Sequence, residues 1–500
     1  MDVQGSVEIE AAYPVVKKPE TTPPKSASTS NWTVSGSRPL VVLVLVSSDA
    51  LLALALWQVA WLLQGFLGHG ALTSFALASM LPNVVVWLGL RSLLGLYPGY
   101  GLGQVEELRR HVFAALTTLA ITTVFAFAAD TADSLSRILL FGWILGLLLL
   151  APIARYFAKL VMRNLKLWGK PVVVLGAEEA GARVLEDLRR EWQLGFRPIA
   201  VFDNRVAPLA RTLGGVPYGG TLADAVALGR EHRLDTVIFA MPYTRREQLV
   251  KFVDLAKLNF KHVVIIPNLA GITNSAVVAR DLAGTFGVEI KYNLLDPWSQ
   301  RLKRGVDLVA TVLGGLVVLP LIVALALLVR LESRGPVFYA DWRMGRDGEL
   351  FSCLKFRTMV TNAEDILQTL LAENEEAKAE YLEYHKLRDD PRVTRVGRFL
   401  RKTSLDELPQ LWNVLRGEMS LVGPRPYLPR ESADIGATQG EILRVTPGIT
   451  GPWQVSGRSH TSFAYRVELD VAYVSDWCVW LDVVLLARTV SCLLLDRGAY

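Results

Sequence analysis

The apolar pattern along the chain changes period several times, and each change marks a boundary. Residues 1 to 37 carry Ser, Thr, Pro and Lys with no apolar periodicity, which reads as a disordered tail. They also lack the short apolar core of a signal peptide. Four long apolar runs follow, about 40–66, 73–97, 111–129 and 137–158, each long enough for roughly 30 Å of hydrocarbon. They predict a four-helix transmembrane bundle over 38–165. Lys17, Lys18, Lys25 and Arg38 precede the first run, Arg109 and Arg110 join the second to the third, and Arg163, Lys166 and Lys170 follow the fourth. The segment holding Asp130 and Asp133 has no Lys or Arg before Arg137, so the distribution of cations puts the tail and the following domain in the cytoplasm. Asp49 lies inside the first run, where an ionisable side chain is by default a functional candidate. With no cationic partner visible, a carboxylate satisfied inside the bundle is the preferred reading.

From 171 to 267 the pattern shortens. PVVVLG, PIAVFD, TVIFAM and HVVIIP alternate with amphipathic helical stretches, which predicts a parallel sheet in a Rossmann-like α/β domain over 166–295. The turn after the first strand runs from Gly176 to Gly181, with Asp203 further on. A dinucleotide fingerprint needs a middle glycine so that backbone approaches the pyrophosphate, and Glu178 stands there instead. A regulatory or dimerising module is therefore favoured over an NAD site. Residues 301 to 334 are apolar again, but Arg301, Lys303 and Arg304 open the run, Arg330 and Arg334 close it, and Pro320 interrupts it. Cations at both ends and a helix break in the middle suit a re-entrant helix, about 306–333, that enters one leaflet and returns. The alternative is an ordinary fifth span, which would put the rest of the chain outside the cell.

Composition supports a membrane protein with large soluble parts. Of the 500 residues 51% are hydrophobic and 20% charged, and mean hydropathy is +0.31, too apolar for an ordinary soluble protein. Three scattered cysteines, Cys353, Cys478 and Cys492, argue against a disulfide framework or a zinc site. The net charge of +5 suits anionic headgroups and phosphorylated ligands. No nucleic-acid motif accompanies it.

The densest chemistry lies in TSLDELPQLWNVLRGEMSLVGPRP, residues 403 to 426. Asp406 and Glu407 adjoin each other where an apolar pattern begins, and Ser404 three residues before Glu407 predicts a capping box opening a helix. Arg392, Arg395, Arg398, Arg401 and Lys402 precede the carboxylates, and Arg425 follows between two prolines. An N-capping pair with a solvated basic face is the bland reading. The chemical one is a nucleophile or metal ligand beside an anion cradle.

RMGRDGELFSCLKFRTM, DPRVTRVGRFLRKTSLDELPQLWNVLRGEMSLVGPRP and TPGITGPWQVSGR resemble the signature blocks of the bacterial sugar transferases, the monotopic phosphoglycosyltransferases. The likeness extends to the whole layout of their large members, which act on undecaprenyl phosphate. It implies an α/β catalytic domain with the re-entrant helix over 296–500, in the bacterial inner membrane with its soluble domains in the cytoplasm. By that resemblance Asp406 is the nucleophile that attacks the sugar-linked phosphorus of a UDP-sugar and releases UMP. Glu407 holds Mg²⁺, and Lys355, Arg357, Arg401 and Arg425 are cations of the substrate site. Undecaprenyl phosphate then accepts the phosphosugar. The transferred hexose is galactose on whole-chain layout, with glucose the alternative, and the protein is a homodimer. Where the family has Ser-Pro in the re-entrant helix this chain has Leu319-Pro320, so a freed carbonyl lacks a hydroxyl partner. A non-catalytic membrane scaffold or sensor is the reading from another class, and the joint presence of Asp406, Glu407 and Arg425 argues against it. Trp477, Trp480, Leu481, Val484 and Leu485 share one helical face near the C-terminus, which fits either an interfacial helix or one packed on the catalytic domain.

Overall fold

The computed structural model describes residues 38–66, 79–128, 137–204, 212–241, 252–253, 256–257, 259–266, 277–282, 285–290, 293–375, 378, 390–456 and 462–494. The expected tail lies outside them. Two compact units divide the chain, 1–103 with 110–268 and 104–109 with 269–500.

In the first unit the apolar runs form α1 (Arg38–Phe66), α2 (Met80–Leu93), α3 (Gln104–Ala128) and α4 (Arg137–Asn164). Helices α1, α3 and α4 are long and apolar enough to cross a membrane. The second expected run differs: its described helix is only 14 residues long. It stops at Leu93, with Leu94 as its C-cap and Gly95 just beyond in left-handed geometry (φ 71°), a backbone that ends a helix. The buried indoles of Trp57 and Trp143 meet edge to face at 5.1 Å. Trp143 also donates to the Ala53 carbonyl at 2.9 Å, which ties α4 to α1.

Asp49 has partners that its own surroundings in sequence conceal. Arg91 of α2 pairs with it at 3.0 Å, and the Tyr97 hydroxyl donates to it at 2.6 Å. Arg91 in turn sits 2.6 Å from His111 of α3. One oxygen of the carboxylate is thus partnered within the bundle by residues that lie far along the chain.

The α/β part of this unit has six strands in the order β3-β4-β2-β1-β5-β6. They are β1 (Lys170–Leu175), β2 (Phe196–Phe202), β3 (Thr212–Leu213), β4 (Val216–Gly220), β5 (Thr236–Phe239) and β6 (His262–Ile265). β4, β2, β1, β5 and β6 run parallel, and β3 pairs antiparallel with β4. Burial of nearly the whole of β1 and β5 explains their continuous β-branched runs. After β1 the chain turns into α5 (Glu179–Arg190), and α6 (Leu222–Glu231) follows β4. Gly181 lies so close to the turn that a Cβ there would meet the Gly176 carbonyl oxygen. Asp203, at the end of β2, accepts the Ala177 N–H at 2.8 Å.

The second unit opens with a hairpin, β7 (Val277–Leu282) against β8 (Thr285–Ile290). It continues through α7 (Pro297–Glu332) and the antiparallel pair β9 (Phe338–Met344) and β10 (Leu350–Phe356). Then come α8 (Ala363–Glu373), α9 (Arg395–Thr403), α10 (Gln410–Arg416), β11 (Ser420–Val422), β12 (Gly448–Thr450), α11 (Phe463–Asp476) and α12 (Val479–Leu494).

Helix α7 is the fourth helix long and apolar enough to cross a membrane. Near its start Arg304 donates to the Val414 and Leu415 carbonyls of α10. Near its end Leu325 and Val329 pack in one cluster with Leu400, Leu405 and Leu408. Between these contacts lies Pro320, which leaves the Leu316 carbonyl without its helical donor.

Lys303, expected as one of the flanking cations of α7, is instead buried. It donates to Asp482 at 2.7 Å and to the Val422 carbonyl at 2.9 Å. Asp482 also accepts from the Tyr473 hydroxyl at 2.7 Å and the Trp477 indole at 3.0 Å. Of the two readings of the C-terminal helix, packing on the catalytic domain is the one found: Trp477 and Leu485 are buried in a core with Leu294 and Val422.

Candidate active site

Asp406 and Glu407 do not open a helix through a capping box. Ser404 takes left-handed backbone angles (φ 55°) as the C-cap of α9, and its side chain caps nothing. The two carboxylates lie in a single 3₁₀ turn, Leu405–Glu407, and α10 starts only after Pro409. The capping pattern is overridden because α9 must end here, and the local reversal at Ser404 stops a continuous helix from forming. A two-helix elbow holds the carboxylates instead, with both helices anchored on α7.

Helix α9 is placed by a close approach. A Cβ on Gly397 would fall 2.1 Å from the Thr358 carbonyl oxygen, so only glycine lets the helix lie this near the end of β10. Thr394 caps the same helix by accepting the Gly397 N–H at 2.9 Å. One turn further on, Arg401 donates to the Thr358 hydroxyl at 2.9 Å. β10 brings the second cation, Lys355, whose ammonium meets Glu407 at 2.7 Å.

These neighbours set the charge state of Asp406. Burial, and then the adjacent Glu407, push its carboxyl up to about 6, while Lys355 and Arg401 pull it down. Near neutral pH it is ionised yet unusually basic for a carboxylate, which favours attack on an electrophile. Burial alone would pull Lys355 down, but Glu407 and Asp406 outweigh it and hold the ammonium above its ordinary value. The site is a half-buried carboxylate pair with two fixed cations, an arrangement that suits phosphoryl chemistry.

The remaining expected cations, Arg357 and Arg425, have other protein partners. Arg357 is buried and donates to the Ser333 carbonyl and hydroxyl at 2.7 and 2.6 Å, tying down the segment after α7. Arg425 pairs with Glu431 at 3.3 Å and lies over Trp453 at 5.3 Å. Its backbone N–H donates to Asp470 at 3.0 Å. Thr358, Trp453 and Asp470 are partners of these cations that the sequence reading did not name. Trp453 falls within a quoted signature block, whereas nothing in a single sequence marks Asp470.

Residues 298–496 match the bacterial sugar transferase family, and residues 92–267 match a CoA-binding domain family. A UDP-galactose-lipid carrier transferase of Erwinia amylovora is 36% identical over 398 residues, 78% of this chain and 82% of that protein. The chain belongs to the bacterial sugar transferases. A second such transferase, the UDP-glucose:undecaprenyl-phosphate glucose-1-phosphate transferase of Escherichia coli K12, is 32% identical over 66% of this chain and 68% of its own length. The exopolysaccharide production protein ExoY of Sinorhizobium fredii is 44% identical over 198 residues, 40% of this chain but 88% of that protein. That protein, less than half as long as this chain, is thus built almost entirely of the shared part.

Asp406 and Glu407 also fit a magnesium ion. Mg²⁺ takes one or two carboxylates and completes its shell with substrate phosphates and water. Among the described residues no group of three His, Cys, Asp or Glu could form an all-protein cage, so the carboxylate pair suits a metal held jointly with a diphosphate.

Proposed function

We propose that the chain transfers a hexose-1-phosphate from a UDP-sugar to undecaprenyl phosphate, as the first membrane step of a bacterial surface polysaccharide. The observation that carries this reading is the Asp406-Glu407 turn, with Lys355 on Glu407 and Arg401 close by. An ionised Asp406 oxygen attacks the sugar-linked phosphorus; the bond to UMP breaks, and UMP leaves with the electron pair. A phosphosugar remains on Asp406 as an acyl phosphate. An oxygen of undecaprenyl phosphate then attacks the same phosphorus, and the carboxylate is released. Lys355 and Arg401 offset the charge that gathers during both displacements. Glu407, with Asp406, would hold Mg²⁺, which supplies neutralisation of the diphosphate when bound.

Membranes given UDP-hexose labelled in the sugar test this directly. Label is expected to reach the lipid fraction and, with acceptor withheld, the protein itself. Transfer without any labelled protein intermediate would refute the covalent route. Galactose is the favoured sugar, in line with the UDP-galactose relative, which covers more of the chain than the glucose one. Parallel incubations with UDP-galactose and UDP-glucose decide between them.

Pro320 within α7 and the contacts of both its ends with the same domain support a re-entrant helix that enters and leaves one face of the inner membrane. A Rossmann-like module between a transmembrane bundle and this domain completes the layout, with the soluble parts on the cytoplasmic side. An Ala340→Cys variant in intact cells is then out of reach of an impermeant thiol reagent, and external labelling there would mean that α7 spans. The sheet domain is read as a homodimer contact, since catalytic residues lie outside it. Light scattering of the full chain and of residues 295–500 tests this, and a dimer in the shorter chain would move the contact elsewhere.

A further inference from the structure

In the proposed chemistry Arg401 offsets charge at the transferred phosphorus, so whatever aims its guanidinium is part of the site. Arg401 stands in the last turn of α9 with its side chain exposed. Among the described residues that side chain makes a single hydrogen bond, from Nε to the Thr358 hydroxyl at 2.9 Å. A long side chain in an open position has many rotamers to lose, and one fixed acceptor at the root of the planar fork selects among them. Bonding at Nε leaves the two terminal nitrogens free, and these can meet two phosphate oxygens at once.

Thr358 is itself held in place. Its side chain is buried, and its carbonyl accepts the N–H of Thr394, the residue that caps α9, at 3.1 Å. Phe356, two residues earlier, packs in one cluster with Leu400 and Leu405, the chain neighbours of Arg401 and Asp406. That packing fixes Thr358, Arg401 and the Asp406 turn against one another.

Two acids, Asp406 and Asp390, lie near enough to act on the Arg401 charge. Asp390 is engaged by another cation: Arg392 reaches its two oxygens at 2.8 and 2.7 Å and adds a backbone N–H at 3.1 Å. A carboxylate clamped on Arg401 would hold it firmly but cancel its charge, whereas a hydroxyl holds it and leaves the charge whole. We propose that Thr358 is a positioning residue, whose hydroxyl aims the Arg401 guanidinium at the Asp406 turn and keeps its charge for the substrate phosphate. This rests on the transferase reading.

The test uses the full chain in its membrane. Thr358→Val removes the hydroxyl and keeps the shape, and loss of one hydrogen bond to a charged group is expected to lower transfer about tenfold. The loss falls on kcat more than on the KM for UDP-sugar, since the charge that Arg401 offsets gathers during displacement. Thr358→Ser keeps the hydroxyl and restores kcat. In an Arg401→Gln background Thr358→Val is expected to change kcat by less than about twofold, because a residue that acts through Arg401 then has nothing to aim. A tie that is only structural would lower Tm and leave kcat per folded molecule unchanged. A wild-type kcat in Thr358→Val would overturn the proposal, and so would a further loss in the Arg401→Gln background as large as that in the wild-type chain. If the valine variant does not fold, Thr358→Ala compared with Thr358→Ser reads the hydroxyl alone, and equal kcat in those two overturns it. Absence of transfer by the wild-type chain would instead remove the reading on which this one stands.

Discussion

Asp203 and Asp406 are both acids beside a tight turn in an α/β setting, and they have opposite surroundings. Asp203, in the sheet domain, is buried and gives an oxygen to the Ala177 N–H at 2.8 Å. Its charge is spent on the turn that follows β1, and Glu178 occupies the place where a dinucleotide's phosphates would need bare backbone. Asp406 sits half-exposed in its 3₁₀ turn beside a second carboxylate, and burial with that neighbour pushes it up to about 6. A carboxylate whose acceptor capacity is taken by its own backbone is structural. One kept basic by burial and like charge, with cations within reach, is equipped for chemistry.

The sharpest way to break this contrast is to neutralise each acid. Asp406→Asn is expected to lower transfer roughly 10⁴-fold or more, as loss of a covalent nucleophile does, and to abolish labelled phosphosugar on the protein. Retained turnover would place Asp406 with Asp203. Glu407→Gln comes next, with a loss of about 10²–10³-fold and weaker dependence on added Mg²⁺, measured by titrating the metal at fixed UDP-sugar.

A smaller effect sharpens the electrostatic half of the argument. Only the ionised form of Asp406 attacks, so kcat/KM should fall as pH drops through about 6 and level off above it. Lys355 stabilises that ionised form. Lys355→Met therefore moves the acid limb to higher pH and slows transfer at neutrality; an unmoved limb would separate the observed pH dependence from Asp406. The smallest change belongs to Asp203→Asn. It weakens a charge-assisted bond to backbone and should cost about 1–2 kcal/mol of stability. Transfer per folded molecule stays near wild type, read as a lower Tm with unchanged kcat.

Much of this could be read from residues in order. Apolar runs gave away α1, α3, α4 and α7, because a helix that meets hydrocarbon must be apolar over its whole length. The alternating strands of the sheet domain were plain for the same kind of reason. The Asp406-Glu407 pair with cations on either side marked the candidate site, and Lys355 and Arg401 both act on its charge. The geometry of the pair was not legible, since Ser404-x-x-Glu407 satisfies a capping rule that packing of α9 overrides. Arg357, expected as one more substrate cation, has the Ser333 carbonyl and hydroxyl as partners, a pairing that the sequence did not show.

What the sequence alone determined is periodicity and residue chemistry: which segments suit hydrocarbon, which form strands, and where carboxylates and cations crowd together along the chain. Tertiary structure decided the partners. Arg91 and Arg155 reach Asp49 from other helices, Lys303 finds Asp482 at 2.7 Å across the second unit, and Arg466 meets Arg425 over the Trp453 indole. Each of these pairings joins residues distant along the chain, and burial, which sets how strongly charges interact, exists only once the chain has closed around them.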